Sequence, residues 1–279
     1  MSAGPDIVRM QRDCLRLRNV IVDMIHAAQS GHTGGSLSCV EILWTLYDAV
    51  LRVRPREPRW PGRDRFVLSK GHAAPALYAI LAEKGFISRE VLGTLRQTGS
   101  ILQGHPDMRK VAGVEMSSGS LGMGISAGIG MALGARLART DTRVFVLVGD
   151  GELDEGQNWE AIMAANKFAL DRLVVIVDRN DVQLDGPTCE IMPLGDIGAK
   201  FSAFGWQVTS CAGHDVQQVY DALQWATSRA AGPGPRAIIA RTVKGKGVSF
   251  MEGKSEWHGK PIGAEEYAQA KRELKVRDA

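Results

Sequence analysis

The stretch LVGDGELDEGQNWEAIMAANKFALDRLVVIVDRND, residues 147–181, indicates the fold class most directly. It holds the end of one apolar run, which stops at Gly149–Gly151, and a second apolar run, which stops at Asp178–Asp181. A helical pattern joins the two runs, and this order is typical of parallel strands covered on both faces. Because right-handed crossovers place the carboxyl ends of parallel strands at one edge, we expect Asp150 and Asn180 to meet there.

The same alternation of apolar strands and amphipathic helices continues on both sides of this stretch. Predicted strands are 65–69, 144–149, 172–178, 206–211 and 236–241. Predicted helices are about 6–29, 38–52, 73–84, a small-residue helix from about 121, 155–169 and 215–230, with a loop at Ser30–Ser36 and a long loop then a short polar helix after about 245. We therefore expect an α/β fold, a parallel β-sheet flanked by helices on both faces, as a single domain over 1–279.

Composition excludes several classes of function. The chain has 279 residues, 44% of them hydrophobic, and a net charge of +3 without a basic stripe, so nucleic acid is not an expected partner. Its four cysteines form no metal-ligand spacing, which favours reduced thiols in a cytoplasmic protein. The N-terminus is charged throughout, unlike a signal peptide, and the apolar runs are too short to span a membrane.

The turn Gly149–Gly151 has the chemistry of a phosphate site. Glycines let a strand end turn sharply, so that backbone amides can meet phosphate oxygens. Asp150 would repel a phosphate unless a divalent cation lay between them, and Mg²⁺ prefers oxygen ligands. The side chain of Asn180 and the backbone carbonyl of Val182 could complete the set. The alternatives are an ordinary strand-to-helix turn and, at Gly122–Gly130, a dinucleotide fingerprint that lacks a preceding strand.

Several motifs resemble those of one family. The GDG of residues 149–151 followed by Asn180 resembles the signature of thiamine diphosphate enzymes. SGHTGG (30–35), DRFVLSKGHAAPALYA (64–79), QGHP (103–106), SSGSLGMGIS (117–126) and WHG (257–259) resemble transketolase motifs, in transketolase order. The resemblance covers nearly the whole chain and implies the thiamine-diphosphate-binding fold with thiamine diphosphate and Mg²⁺ as cofactors.

The resemblance also implies roles for individual residues. Metal ligands would be Asp150, Asn180 and the carbonyl of Val182. Cofactor-binding residues would be His72, Gly119, Leu121, Gly149, Asp150, Gly151, Glu152, Asn180, Leu184 and His258. Catalytic residues would be His32, His105, His258 and Glu155, with His32 and His105 facing the reacting carbons and Glu155 at a subunit interface. Imidazole suits proton transfer because its pKa lies near neutrality.

Other residues are given structural interpretations. We expect His26 and His214 to be structural and Trp257 to anchor its loop. Lys244 and Lys246 are expected to be a solvated loop pair, with contact to a phosphate as the lesser alternative. His105 could instead stabilise its own turn. Thr33 departs from the proline common in the family's SGHPG motif, which could change the stiffness of the loop while leaving His32 in place.

The resemblance extends only to the first of the three transketolase domains. It implies the N-terminal subunit of a split transketolase, which transfers a two-carbon ketol unit between sugars or sugar phosphates. The pyrimidine-binding and C-terminal domains would be on a partner chain, in an α2β2 heterotetramer, and the chain alone would be inactive because the activating glutamate belongs to the partner. The alternatives are the α subunit of a 2-oxo acid dehydrogenase, a deoxyxylulose-phosphate synthase, and a non-catalytic thiamine-diphosphate-binding module.

Overall fold

The computed structural model of the chain describes residues 4–228 and 231–275. Within these ranges the strands are Arg65–Leu68 (β1), Val144–Gly149 (β2), Leu173–Arg179 (β3), Gln207–Ala212 (β4) and Arg236–Arg241 (β5). The α-helices are Ile7–Ala28 (α1), Thr33–Leu37 (α2), Val40–Thr45 (α3), Ala74–Glu83 (α4), Gly124–Leu137 (α5), Gly156–Lys167 (α6), Thr188–Ile191 (α7), Ile197–Ala203 (α8), Val216–Thr227 (α9) and Ala264–Glu273 (α10).

The five strands form one parallel sheet in the order β1-β2-β3-β5-β4. Strand β2 pairs with β3 from Val144 opposite Leu173 to Gly149 opposite Asp178, so the two strands of the opening stretch end side by side. The predicted α/β architecture is confirmed. Its carboxyl edge gathers the loops that follow β1, β2, β3 and β5.

Alternate residues of the central strands feed two separate cores. Phe145 and Leu147 of β2 pack into a core with α1, α3, α4 and α9. Val146 and Val148 pack into the core on the other face, with α5, α6 and α8. Helices therefore cover both faces, which is why β2 and β3 are apolar at nearly every position.

Some predicted boundaries are wrong. The helix expected over 38–52 is broken: α2 already begins at Thr33, inside the predicted loop, α3 begins at Val40, and a π-helical turn covers Leu46–Val50. Ser38 lies at the break, where its hydroxyl donates to the carboxylate of Asp178 at 2.6 Å instead of facing solvent. The small-residue helix begins at Gly124 rather than at about 121.

Strand β4 is an edge strand, and most of its residues are half-buried or exposed although α8 and α9 pack against it. The helix predicted over 215–230 is α9, and its last two predicted residues lie outside the described ranges. Among the described residues no helix is both long and apolar enough to cross a membrane.

Candidate functional site

Asp150 and the chain after Asn180 meet at the carboxyl edge of the sheet. The carboxylate of Asp150 accepts hydrogen bonds from the backbone amides of Gly151, at 3.0 Å, and Asp181, at 2.6 Å. The side-chain oxygen of Asn180 accepts from the amide of Val182 at 3.2 Å. The two strand ends thus bring the carboxylate of Asp150 and the amide oxygen of Asn180 to the same edge of the sheet, as the spacing predicts.

The environment of Asp150 suits a bound cation. The side chain is buried, and burial together with the nearby carboxylate of Asp178 raises its pKa to about 7. Within residues 4–228 and 231–275 no lysine, arginine or histidine forms an ion pair with it. A divalent cation would supply the missing positive charge and favour the ionised carboxylate.

The predicted metal ligands are few. In the described part of the chain no three His, Cys, Asp or Glu side chains gather to hold a metal ion. Asp150, Asn180 and the Val182 carbonyl would offer three oxygens, and an octahedral Mg²⁺ site needs more. Such a set fits a cation that takes its remaining ligands from phosphate and water.

A cleft opens beside these two strand ends. It is lined by most of the predicted cofactor residues: His72, Leu121, Gly149, Asp150, Gly151, Glu152, Asn180, Val182, Leu184 and His258. Four further residues line it: Gly35, Lys70, Gln183 and Lys244. The loops after four different strands therefore share one concave surface, as expected for a ligand site at the edge of an α/β sheet.

Four histidines from four separate loops cluster next to the cleft. The ring centroid of His32 lies 5.3 Å from that of His72, 5.3 Å from that of His258 and 5.9 Å from that of His105. Burial and nearby cations lower the pKa of His32 to about 4 and that of His258 to about 3, and they hold the pKa of His72 well below its usual value. Near neutral pH these rings are uncharged, so each offers one donor and one acceptor.

His105 is the most accessible member of the cluster. Its ring packs over Gly119, where a Cβ would lie 3.1 Å from the imidazole and where φ is +148°. Only glycine fits this approach without strain. Gly119 thus lies beneath a predicted catalytic ring, and it does not line the cleft itself.

The remaining predicted residues lie around the cleft. Leu121 and Leu184 line it, and Leu184 is 59% exposed despite being apolar. Glu155 is exposed and packs over Gly122. A Cβ added to Gly122 would lie 2.8 Å from the Cβ of Glu155. The interface role of Glu155 stays a prediction.

The carboxylate of Glu152 is already hydrogen-bonded within the protein. Its buried carboxylate accepts from the amides of Gly122, at 3.0 Å, and Gly149, at 3.1 Å, and from the hydroxyl of Ser69. These bonds join the loops after β1 and β2 to the start of α5. A direct contact with a cofactor stays a prediction, whereas its bracing of the cleft is visible.

The expectation that Lys244 is solvated is wrong. Its side chain is only 2% exposed, and its ammonium donates to the carbonyls of Val182 and Gln183, at 3.3 and 3.0 Å, and to Nδ1 of His258, at 3.1 Å. Burial lowers the pKa of Lys244 to about 8, with Lys70 adding to the effect. Lys246 is half-exposed and pairs with Glu252, so it fits the predicted solvated position.

Lys70 is a second lysine that the sequence did not single out. It is buried, donates to the carbonyl of Gly35 at 2.9 Å and forms an ion pair with Asp178. The hydroxyls of Ser38 and Thr242 also donate to Asp178. The signal that could have revealed it is its place directly before Gly71-His72, at the end of a buried strand.

The structural interpretations of the other residues agree with the contacts. His26 stacks on Tyr267 with ring centroids 4.1 Å apart, and His214 bridges Glu41 and the amide of Val243. Trp257 is buried and packs against Phe250. Thr33 is the first residue of α2, a position that also suits proline.

Comparison with known proteins places this geometry in a family. Residues 10–278 match the family model described as "Transketolase, thiamine diphosphate binding domain". The chain is 44% identical to a subunit of the apulose-4-phosphate transketolase of Phocaeicola vulgatus, covering 93% of this chain and 92% of that one. It is 43% identical to 6-deoxy-6-sulfo-D-fructose transketolase subunit SqwG of a Clostridium species, covering 98% of each. Human transketolase is 41% identical over 88% of this chain but only 39% of its own length.

Solved structures agree with this assignment. Transketolase from Campylobacter jejuni superposes with a TM-score of 0.89 at 34% identity, covering 98% of this chain and 43% of that chain. A Pichia stipitis transketolase mutant gives a TM-score of 0.90 at 31% identity. Neither the family model nor these relatives support a 2-oxo acid dehydrogenase. The chain belongs to the transketolase family of transferases, as its N-terminal, thiamine diphosphate-binding domain.

Proposed function

We propose that this chain is the N-terminal subunit of a two-chain transketolase, which moves a two-carbon ketol unit from a ketose or ketose phosphate to an aldose acceptor. The observation that carries the proposal is the meeting of the Asp150 turn and the four-histidine cluster at one edge of the sheet. A binding module would need the turn, but it would have no use for neutral imidazoles beside it.

The cofactor would be held at the diphosphate end by this chain. Asp150, Asn180 and the Val182 carbonyl would bind Mg²⁺, and the amide of Gly151, His72, His258 and the ammonium of Lys244 would face the diphosphate. Bound thiamine diphosphate supplies the carbon that attacks the ketose carbonyl and carries the two-carbon unit. The protein would hold that carbon beside the substrate and would prevent cofactor and substrate from binding in unreactive orientations.

The histidines would handle protons and orient the substrate. His258 receives a hydrogen bond at Nδ1 from Lys244, so its own proton is on Nε2, where it can be donated. Arg96 lies 3.4 Å from Nδ1 of His32, which places the His32 proton on Nε2 as well. His32 and His105 would then donate to sugar oxygens, and their lowered pKa values keep both rings neutral during this work.

A partner chain would complete the site. Leu184, apolar and exposed at the cleft, and Glu155, exposed beside Gly122, would face a chain that carries the pyrimidine-binding and C-terminal domains. Two relatives of nearly equal length are named as transketolase subunits, which supports a split enzyme. We propose an α2β2 heterotetramer with this chain as one single domain. A cytoplasmic location stays a prediction.

The donor sugar is proposed only as a ketose class. The names of the two relatives differ in their sugar, a phosphate ester in one and a sulfo sugar in the other. Both names describe molecules with an anionic group. This agrees with a sugar phosphate as substrate without selecting one.

The test is an assay of the purified chain with Mg²⁺, thiamine diphosphate, a panel of ketose phosphates and an aldose acceptor, with and without the candidate partner chain. We expect ketol transfer only when both chains are present, and none with Asp150→Asn. Transfer by the solitary chain would refute the two-chain proposal. Turnover of 2-oxo acids with a lipoyl acceptor, and not of ketoses, would refute the transketolase proposal.

A further inference from the structure

A buried ionic network lies behind the loop that carries Lys244. Arg18 of α1 and Glu41 of α3 are each 5% exposed, and a terminal nitrogen of Arg18 donates to Glu41 at 2.7 Å. Nδ1 of His214 lies 2.9 Å from the same carboxylate. Three residues that are far apart in sequence therefore form one buried cluster around an acid.

The network forms hydrogen bonds with the backbone on both sides of Lys244. The amide of Val243 donates to Nε2 of His214 at 2.8 Å, and Nε of Arg18 donates to the carbonyl of Lys246 at 3.0 Å. Because the Val243 amide can only donate, Nε2 of His214 is the acceptor. The ring proton is therefore on Nδ1, which donates a hydrogen bond to Glu41. The residues flanking Lys244 are fixed by one chain of hydrogen bonds with a defined tautomer.

The same network reaches the helix that packs under Lys244. Arg18 also donates to the carbonyl of Leu37, the last residue of α2, at 3.2 Å. From α2, the carbonyl of Gly34 accepts the amide of Gly245 at 3.0 Å, and the Lys244 stem passes so close to Gly34 that a Cβ there would lie 2.9 Å from it. The backbone on both sides of Lys244 and the surface beneath it are thus held together.

A buried ion pair is seldom the most stabilising choice, because desolvation offsets its attraction. Burial opposes ionisation of Glu41, but Arg18 and His214 outweigh it and lower its pKa to about 2, so the acid stays charged. What a set of directional bonds provides beyond an apolar cluster is a fixed position. Here the fixed element is the loop that delivers a cation to the cleft.

We infer that Arg18, Glu41 and His214 are positioning residues that hold the Lys244 ammonium in place for the diphosphate of the cofactor, an inference that rests on the proposed function. None of the three lines the cleft. Their effect on the cofactor is therefore exerted through the Val243–Lys246 backbone.

The experiment is calorimetric titration, with thiamine diphosphate and Mg²⁺, of the chain assembled with the candidate partner chain. His214 is the residue to change, since it is half-buried and its loss leaves the Arg18–Glu41 pair intact. We expect His214→Leu to raise Kd about tenfold. His214→Gln, whose oxygen can accept from Val243 and whose amide can donate to Glu41, should restore binding close to the wild-type Kd. The matched control is His26→Leu, which removes a histidine remote from the network.

A double-mutant cycle with Lys244→Met separates positioning from general damage. If His214 acts through Lys244, His214→Leu should change Kd little once Lys244 is methionine. An equal loss in both backgrounds, or an unchanged Kd for His214→Leu in the wild-type background, would overturn the inference. Should the leucine variant not fold, His214→Asn, too short to bridge both partners, replaces it. A wild-type assembly of the two chains that fails to bind would instead refute the proposed cofactor site, and this inference with it.

Discussion

Lys244 holds its ammonium nitrogen 3.1 Å from Nδ1 of His258. A lysine ammonium has no lone pair, so it must be the donor, and the histidine must be neutral with its proton on Nε2. The pKa of His258, lowered to about 3 by burial and then by Lys244, agrees with this assignment. The pair offers a diphosphate one full positive charge and one neutral donor in a partly dehydrated cleft.

Removing the Lys244 charge should weaken cofactor binding strongly. The three N–H groups of the ammonium already donate to Val182, Gln183 and His258, so Lys244 would act on the diphosphate through its charge. At the effective dielectric of a partly buried site this attraction is roughly 1.5–3 kcal/mol, which corresponds to a rise of about ten- to hundredfold in Kd. We expect Lys244→Met to show this rise for thiamine diphosphate with Mg²⁺ in calorimetric titration of the chain assembled with its partner. Lys254→Met, at an exposed position of the following loop, is the matched control and should bind like the wild type. A Kd for Lys244→Met close to that of the wild type would show that the ammonium does not face the diphosphate.

Gly34 should tolerate no side chain. A Cβ at this position would lie 2.9 Å from Cγ of Lys244 and 3.0 Å from the backbone oxygen of Trp257, and the latter cannot move aside easily. We expect Gly34→Ala to lower the free energy of unfolding by about 1–3 kcal/mol, measured by urea denaturation, and to weaken cofactor binding.

A second glycine provides the control for Gly34. Gly134 lies in α5, where nothing is within 4 Å of a Cβ, and alanine is the better helix former. Gly134→Ala should therefore raise the free energy of unfolding by up to about 1 kcal/mol. Equal stability changes of the same sign in the two variants would contradict the close approach of Lys244 to Gly34.

Local sequence patterns could predict the helices and strands whose buried side chains recur at the regular spacing of that element. Strands β2 and β3 are apolar throughout because helices cover both faces, and their polar ends follow directly. The four histidines could be predicted for a different reason. Each lies beside glycine in a polar loop, and the motifs that contain them follow one another in the order of the transketolase motifs. Both signals are contained within short stretches of chain.

The features that sequence missed depend on contacts between distant segments. The break after α2 accompanies a hydrogen bond from Ser38 to Asp178, 140 positions later. Lys244 resembles any lysine of a glycine-rich loop, and its burial arises only when Gly34, Trp257 and the chain after β3 surround it. No periodicity or local composition carries that information.

Glu41 should make the chain sensitive to acid. Its folded pKa, about 2, lies below the ordinary value of 4.5, so its stabilising contribution is present above about 4.5 and is lost as pH falls through about 2. The pKa shift corresponds to roughly 3 kcal/mol of folding stability near neutral pH. It arises because the contacts with Arg18 and His214 lower the pKa by more than burial raises it. In urea denaturation at falling pH, the stability gap between wild type and Glu41→Gln should narrow below about pH 4.5. Glu265→Gln, at an exposed site, should show no such narrowing. A gap that stays constant from about pH 7 to about pH 3 would show that Glu41 is not held ionised by its partners.

Lys70 and Asp178 should behave as one unit. Both are buried, and removing only the cation leaves a carboxylate that solvent cannot reach. We expect Lys70→Met to cost about 3–5 kcal/mol in the free energy of unfolding, since breaking a buried pair exposes the full desolvation penalty of the remaining charge. The double variant Lys70→Met with Asp178→Asn should recover most of that loss, because no charge is left unpaired: the amide oxygen can accept from the hydroxyl of Ser38, and the NH2 group can donate to the hydroxyl oxygen of Thr242. Urea denaturation of the wild type, both single variants and the double variant gives the coupling free energy. If the two losses simply added, the ion pair would not be what Lys70 contributes, and its place in the cleft wall would have to be explained by the ligand alone.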